Sequence, residues 1–321
     1  MRFIVYGVGA VGGVIAGALA ARGEDVVGIA RGARLDVLRN DGMSLLSPAG
    51  KRKVKFDCVG SAREVALAPD DAILLTVKGQ DTLPALLDLR SAGMEDQPLF
   101  CCQNGVANEA TALRYFANVH GVNVMLPCQY MSAGETIAWC SPNYGNFDIG
   151  RYPRGLDEAD SSLAGALTPA GIGGYPTDRV MVFKYGKLIM NLSNIVEAAL
   201  GRQPGNDDLA DVLQAEGREV LDRAGIRWED VGDIDPRREL MHPGTVAGFN
   251  RLGGSTTQSL ARGAGSVETD FLNGEIVLIG RLHGIETPAN LFATRLAARL
   301  AREGYRPGDV TRDELASGLG L

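Results

Sequence analysis

The chain has 321 residues, 45% hydrophobic and 22% charged, with a net charge of −7. That is apolar material for two domains of ordinary size, and it excludes both a disordered chain and a small disulfide-stapled scaffold. No long basic run occurs, so a nucleic-acid partner is not expected.

In chain order, Arg2 to Tyr6 predicts a short strand, and Ala10 to Ala21 predicts a helix closed by Gly23. Residues 3–21 carry no charge and resemble a leader or a membrane span. Gly7, Gly9, Gly12 and Gly13, with the change from strand to helix, point instead to a buried parallel strand and its helix. No other segment is long and apolar enough to cross a bilayer, so no membrane association is expected. Asp25 to Ala30 is the second strand, Arg34 to Asn40 is helical, and Asp41-Gly42 turns the chain. Two short strands are expected around 43–47 and 52–57. A continuous apolar strand follows at Asp71 to Val77, then a helix at Asp81 to Leu89 and a strand at Pro98 to Cys102. Asn108 to Phe116 is helical and Val122 to Leu126 extended, so strands and helices alternate as in a parallel sheet.

Residues 128–152 read as antiparallel strands added to that sheet, with a helix near 157–167. From Thr177 the pattern changes. The runs 178–200, 206–223, 256–263, 267–282 and 288–303 predict helices, and Asp309 to Leu321 a loosely held tail. The expected fold is an α/β Rossmann-type N-terminal domain with a mostly parallel sheet, residues 1–177. An all-α C-terminal domain follows, residues 178–321.

Cys58, Cys101, Cys102, Cys128 and Cys140 are odd in number and form no CxxC pair. They read as reduced thiols, which places the chain in the cytoplasm. His120, His242 and His283 have no metal-ligand spacing, and no metal is expected.

Gly7-Val8-Gly9-Ala10-Val11-Gly12 matches G-x-G-x-x-G between a strand and a helix, the context that gives this motif its meaning. Gly7 allows the tight turn, Gly9 lets the backbone approach a pyrophosphate, and Gly12 lets the helix pack close to the strand. The helix N-terminus then offers free N–H groups to phosphate. Enzymes that take NAD place Asp or Glu about 20 residues on, at the end of the second strand. Here that position is Arg31, nineteen residues after Gly12, with Arg34 close by; Glu24 and Asp25 lie at the wrong end of the strand. A guanidinium forks onto a 2′-phosphate, so the expected cofactor is NADPH.

The opening GVGAVG, Arg31, LLTVKGQ at 74–80, QNGVANE at 103–109, KYGKLIMN at 184–191 and ETDFLNGEI at 268–276 occur in that order. Together they resemble the ketopantoate reductases. The resemblance implies a Rossmann domain and a helical domain with the active site in the cleft between them, and NADPH-dependent reduction of a 2-oxo acid to a 2-hydroxy acid. It implies that Lys78 lies along the cofactor and that Asn104 stands between cofactor and substrate. It implies that Lys187 is the catalytic lysine, Asn191 a substrate-binding asparagine, and Glu268 a catalytic glutamate that faces the cleft and the cofactor. Ser255 resembles the serine of the family's substrate loop.

The residues carry part of this independently. Residues 187–200 are largely apolar, with Lys187, Asn191 and Asn194 at i, i+4 and i+7. Such a stripe is either a solvated face or the wall of a polar cleft. Reduction of a carbonyl leaves charge on oxygen, which an ammonium stabilises and then protonates. With Asn104, Glu268 and the nucleotide motif, the cleft is favoured, and Asn194 joins the substrate-binding candidates.

Two positions depart from the family pattern. Ile195 stands where an asparagine is common, and the spacing from Gln258 to Glu268 is one residue longer, with Ser259 where an acidic residue is common. Both concern substrate binding. Three readings follow: a ketopantoate reductase of pantothenate synthesis, a sister dehydrogenase for another branched 2-oxo acid, or a non-catalytic NADPH-binding regulatory protein. The expected partner is a small 2-oxo acid, and a homodimer is expected from the helical domain's apolar content and family analogy.

Overall fold

The computed structural model describes residues 1–232, 236–263 and 267–321. The chain forms two compact units. The first comprises Met1–Asn104, Asn108–Met181 and Asp233–Arg251; the second comprises Gly105–Ala107, Val182–Gly232 and Leu252–Leu321. The division is thus not a single cut after residue 177, because a late segment returns to the first unit.

The first unit begins with β1 (Arg2–Tyr6), α1 (Ala10–Ala20), β2 (Val26–Ile29), α2 (Gly32–Asp41), β3 (Met43–Ser47), β4 (Gly50–Val54) and β5 (Asp57–Val59). It continues through β6 (Asp71–Leu75), α3 (Thr82–Ser91), β7 (Leu99–Cys101), α4 (Asn108–Leu113), β8 (Val119–Met125), β9 (Cys128–Ser132) and β10 (Glu135–Ala138). Then come β11 (Cys140–Pro142), β12 (Gly145–Arg151), α5 (Glu158–Leu167) and β13 (Ile172–Pro176). The main sheet has the order β13-β12-β8-β7-β6-β1-β2-β5. From β5 to β8 all neighbours are parallel, and β12 runs antiparallel to β8. Successive strands run outward from β1 on one side and from β6 on the other, so the order reverses between these two. In such sheets ligands bind outside the carboxyl ends of the strands at that reversal.

Alternation along β1 explains its unbroken apolarity. Phe3 and Val5 enter the core that holds Ile15, Leu19 and Leu163, while Ile4 and Tyr6 enter the core that holds Leu86, Leu89 and Phe116. Both faces are covered, so neither needs polar residues.

The expected antiparallel extension of the sheet is only partly present. β12 joins it, but β9 and β10 form a second sheet, β4-β3-β10-β9. This sheet packs on the side of α1 turned away from β1, with Gly17 and Leu45 in close approach. That position accounts for the membrane-like run: α1 lies between two sheets and has no solvent face to make polar. Among the described residues no helix is long and apolar enough to cross a membrane. None of the five cysteines is in a disulfide.

The returning segment adds β14 (Met241–Pro243), antiparallel to β11. Val246 and Phe249 close a small cluster around Leu46, Ile137 and Trp139.

The second unit contains α6 (Val180–Asn191, entering from the first unit), α7 (Asn194–Leu200), α8 (Asp207–Arg223), α9 (Ser255–Ala261), α10 (Asn273–His283), α11 (Pro288–Glu303) and α12 (Arg312–Leu319). The last replaces the expected loose tail. Thr311 caps it by accepting the Glu314 N–H at 3.3 Å, Leu315 and Leu319 are buried, and Arg312 pairs with Asp208 at 2.5 Å.

Candidate functional site

Four loops leave the carboxyl ends of adjacent parallel strands in the first unit. They follow β1, β2, β6 and β7 and carry Gly7 to Gly12, Arg31, Lys78 and Asn104. The sheet therefore brings together every first-unit residue expected at the cofactor.

In the first loop, Gly7 has φ +104°, a conformation that side chains rarely adopt. A Cβ on Gly12 would lie 2.3 Å from the Gly7 carbonyl and 2.4 Å from Thr76 Oγ1, so helix and strand meet without room for a methyl group. A Cβ on Gly9 would meet nothing nearer than the Gly7 carbonyl at 4.0 Å. Packing within the protein thus explains Gly12 but leaves the absence of a side chain at Gly9 unaccounted for, as a ligand surface would require. Gly9 starts α1 without a side-chain cap, so the amides of the first turn need another partner. Thr76 clasps the loop by donating from Oγ1 to the Tyr6 and Gly7 carbonyls at 3.0 and 2.8 Å.

A buried relay joins the Lys78 and Asn104 loops. Gln103 Nε2 donates to the Val77 carbonyl at 2.9 Å and to Thr82 Oγ1 at 2.8 Å. Thr82 donates to Asn108 Oδ1 at 2.8 Å, and Asn108 Nδ2 donates to the Asn104 carbonyl at 3.0 Å. Lys78 and Asn104 themselves are half-buried at the rim of this relay. Sequence reasoning missed Thr76, Thr82, Gln103 and Asn108, although Thr76, Gln103 and Asn108 lie inside motifs it singled out.

The two neighbouring arginines have different surroundings. Arg31 is exposed, in extended conformation at the start of α2. Arg34 is 6% exposed and held away from solvent. Its Nε donates to the Val8 carbonyl at 3.0 Å, Nη1 to the Ala133 carbonyl at 2.8 Å, and Nη2 to Thr136 Oγ1 at 3.0 Å. Its guanidinium also stacks over the Tyr130 ring. Burial lowers its pKa, and it remains far above neutrality as arginine. Arg34 is therefore an anchor of the glycine loop, with its donors already engaged. Arg34→Met should strand three acceptors, cost about 2–3 kcal/mol of stability, and weaken NADPH and NADH binding alike. Titration of both cofactors alongside thermal melts tests this; selective loss of NADPH alone would contradict it.

In the second unit the expected long helix over 178–200 is broken. α6 ends at Asn191, and α7 begins at Asn194. Leu192 makes a tightened bond to the Ile189 carbonyl, Ser193 Oγ donates to the Met190 carbonyl at 3.0 Å, and the Leu192 carbonyl accepts Asn273 Nδ2 at 3.1 Å. The polar stripe on α6 consequently reads Lys184, Lys187, Asn191, at i, i+3 and i+7, and Asn194 belongs to a different helix. Lys184 is buried, Lys187 half-buried, and the Asn191 amide nitrogen is buried with no hydrogen-bond partner among the described residues. Such an orphan donor costs about 1–3 kcal/mol unless something supplies an acceptor. Gly186, on a different face of α6 from this stripe, lets the Glu229 carbonyl approach to 1.6 Å from where a Cβ would stand, which holds α6 in register.

Glu197 of α7 accepts the Gly254 N–H at 2.9 Å and Thr257 Oγ1 at 3.2 Å, pinning the start of α9 and its first residue, Ser255. Asn194 Oδ1 lies beside Gly254, so Asn194 and the Ser255 turn are neighbours. Glu268 is half-buried and opens a 3-10 turn, Glu268–Phe271, rather than the expected continuous helix from 267. Residues 264–266, within the lengthened Gln258–Glu268 spacing, lie outside the described residues. Asn273, two residues past that turn, also donates to Asn290, which in turn donates to Glu216. The Glu268 turn and the end of α6 thus rest on one buried network.

Elsewhere, His120, Asp157 and Asp160 bring possible metal-ligand atoms together. Both His120 ring nitrogens already face oxygens, Asp160 at 2.7 Å and Asn118 at 2.9 Å, so the cluster reads as a tie between β8 and α5.

Comparison with known proteins adds independent findings. The family model described as ketopantoate reductase PanE/ApbA matches residues 3–153, and the corresponding C-terminal model matches residues 185–301. A 2-dehydropantoate 2-reductase of Pyrococcus horikoshii is 26% identical over 298 residues, covering 90% of this chain and 94% of its own. One from Aquifex aeolicus is 24% identical, covering 92% of this chain and 96% of its own. The solved structure of a PanE/ApbA family ketopantoate reductase from Ralstonia eutropha JMP134 matches with a TM-score of 0.77 at 27% identity, over 95% of this chain and 99% of that one. The ternary structure of D-mandelate dehydrogenase with NADH and anilino(oxo)acetate matches with a TM-score of 0.76 at 19% identity, over 95% and 99% of the two chains, and shares the fold.

Proposed function

The chain belongs to the ketopantoate reductase family, a family of oxidoreductases, and on that premise we propose that it reduces 2-dehydropantoate to pantoate with NADPH. The observation that carries the proposal is the convergence of the glycine loop, Arg31, Lys78 and Asn104 at the carboxyl edge of one parallel sheet. When bound, the cofactor supplies the hydride. The first turn of α1 and the bare Gly9 would hold its pyrophosphate, Arg31 its 2′-phosphate, and Lys78 and Asn104 would flank it, with Glu268 also in contact. Lys187 polarises the substrate carbonyl and protonates the oxygen as charge develops there. Asn191, whose amide lacks an acceptor, orients the substrate, and Asn194 and Ser255 line the substrate side. Glu268 holds the lysine or the substrate hydroxyl in place.

The test is cofactor oxidation followed optically against a panel of 2-oxo acids. Fastest turnover with 2-dehydropantoate supports the proposal. Faster turnover of another branched 2-oxo acid would make the chain a sister dehydrogenase, and no turnover with any would overturn the enzymatic role. The cofactor half has its own test. Arg31→Ala should weaken NADPH binding by on the order of 1.5–3 kcal/mol while leaving NADH binding nearly unchanged. Equal affinity of the parent protein for both cofactors would sink it. The proposal includes a cytoplasmic homodimer; Leu278 and Leu282, both exposed one turn apart on α10, suit a subunit contact, and solution mass measures it.

A further inference from the structure

Arg31 is neighboured by a carboxylate that could compete with phosphate for it. Tyr6 and Ile29 are register partners at the ends of β1 and β2, and both enter the core that α3 covers. Side chains alternate along extended chain, so Arg31, two residues beyond Ile29 and itself extended, points toward the same face. On that face α3 presents Asp88, which is part-buried near the end of β1.

Asp88 is already occupied. Its Oδ2 accepts the Tyr6 hydroxyl at 2.8 Å and the Ala62 N–H at 2.8 Å, and its Oδ1 accepts Ser61 Oγ at 2.7 Å. Ser61 and Ala62 belong to the loop that leaves β5, beside the end of β2, where the Ala30 N–H bonds the Val59 carbonyl. Two strand-end segments and one helix thus converge on a single carboxylate. Burial and Asp88 together push the Tyr6 hydroxyl up to about 12, and the nearby Arg31 guanidinium pulls in the other direction. Tyr6 therefore stays a protonated donor. Arg31, though within reach of this cluster, forms no ion pair among the described residues.

We propose that the Tyr6–Asp88–Ser61 cluster is a positioning device for the cofactor's 2′-phosphate: by saturating Asp88 with neutral donors, it keeps Arg31 available to that phosphate. The proposal rests on the assignment of Arg31 to NADPH. Tyr6 is a positioning residue in this scheme, since it acts through Asp88 and Arg31 and need not touch the cofactor. When the hydroxyl is removed, Asp88 loses a donor, and its free lone pair is open to Arg31, which lies close to that hydroxyl, in competition with Arg63. Preference for the phosphorylated dinucleotide is then weakened by a change in the β-sheet core.

The experiment uses calorimetric titration of the full chain with 2′,5′-ADP and with 5′-AMP, which differ only in the 2′-phosphate. The parent should bind 2′,5′-ADP more tightly. Tyr6→Phe, nearly isosteric, should weaken 2′,5′-ADP by about threefold to tenfold, the range of one hydrogen bond, and leave 5′-AMP unchanged. Ser61→Ala, at the surface loop, should act in the same direction. In the Tyr6→Phe background, Asp88→Asn should restore 2′,5′-ADP binding, because the competing charge is gone. Equal weakening of both nucleotides in Tyr6→Phe, no change in either, or failure of Asp88→Asn to rescue would each overturn the device. A parent that binds the two nucleotides equally would instead overturn the assignment of Arg31, and the device with it.

Discussion

Lys187→Ala is expected to lower kcat by roughly 10²–10⁴, the range for a positioned general acid, while NADPH affinity changes little. The position of Lys187 is set by parts that the substitution leaves intact. Gly186 keeps α6 against the Glu229 carbonyl, and Asn273 holds the Leu192 carbonyl where the helix stops. The side chain can therefore be removed without moving its helix, and the loss reads on chemistry. Lys187→Met retains length and flexibility without charge and should be equally slow. The measurement is steady-state kinetics beside cofactor titration. Parent-like turnover in both variants would show that the proton comes from another group, with the buried Lys184 the next candidate on the same stripe.

Gly9→Val is the second large expectation: NADPH and NADH binding should fall roughly a hundredfold or more, because the new side chain occupies the pyrophosphate position. The fold should be unaffected to within roughly 0.5 kcal/mol, since a Cβ there meets nothing closer than 4.0 Å. Gly12→Val is the informative contrast. Its Cβ would sit 2.3 Å from a backbone carbonyl, so that variant should lose stability before binding can be measured. Melting temperature and cofactor affinity, measured on both, separate the two roles. Normal affinity in Gly9→Val would show that the loop is a structural turn only.

The first unit's sheet was legible because its strands are buried on both faces and read as apolar runs, and because the glycine spacing marks one strand-to-helix turn. What remained hidden depended on partners distant in sequence. No Gly or Pro marks the break after Asn191; an amide eighty-two residues on, Asn273, stabilises it by taking the Leu192 carbonyl. Arg31 and Arg34 are the same residue type three apart, and only the 132–136 hairpin decides that one is buried. β13 carries Gly173 and Gly174, which weaken any strand signal; a Cβ on Gly174 would lie 2.6 Å from Ala164, so α5 requires the glycine. Among the expected site residues, those at strand ends could be placed by topology. Asn194, Ser255 and Glu268 depend on helix breaks and turns that periodicity does not report.

The returning segment has a consequence for the order of events on the ribosome. Trp139 and Ile137 emerge early, but Val246 and Phe249, which cover them, follow only after Val182–Gly232 has been made. At roughly 5–20 residues per second, the nascent first unit waits several seconds with that apolar patch open and β11 unpaired. A fragment cut at residue 181 would keep this state permanently. It would expose an edge strand and an indole to neighbouring chains, so the nucleotide-binding half cannot be excised by a single cut.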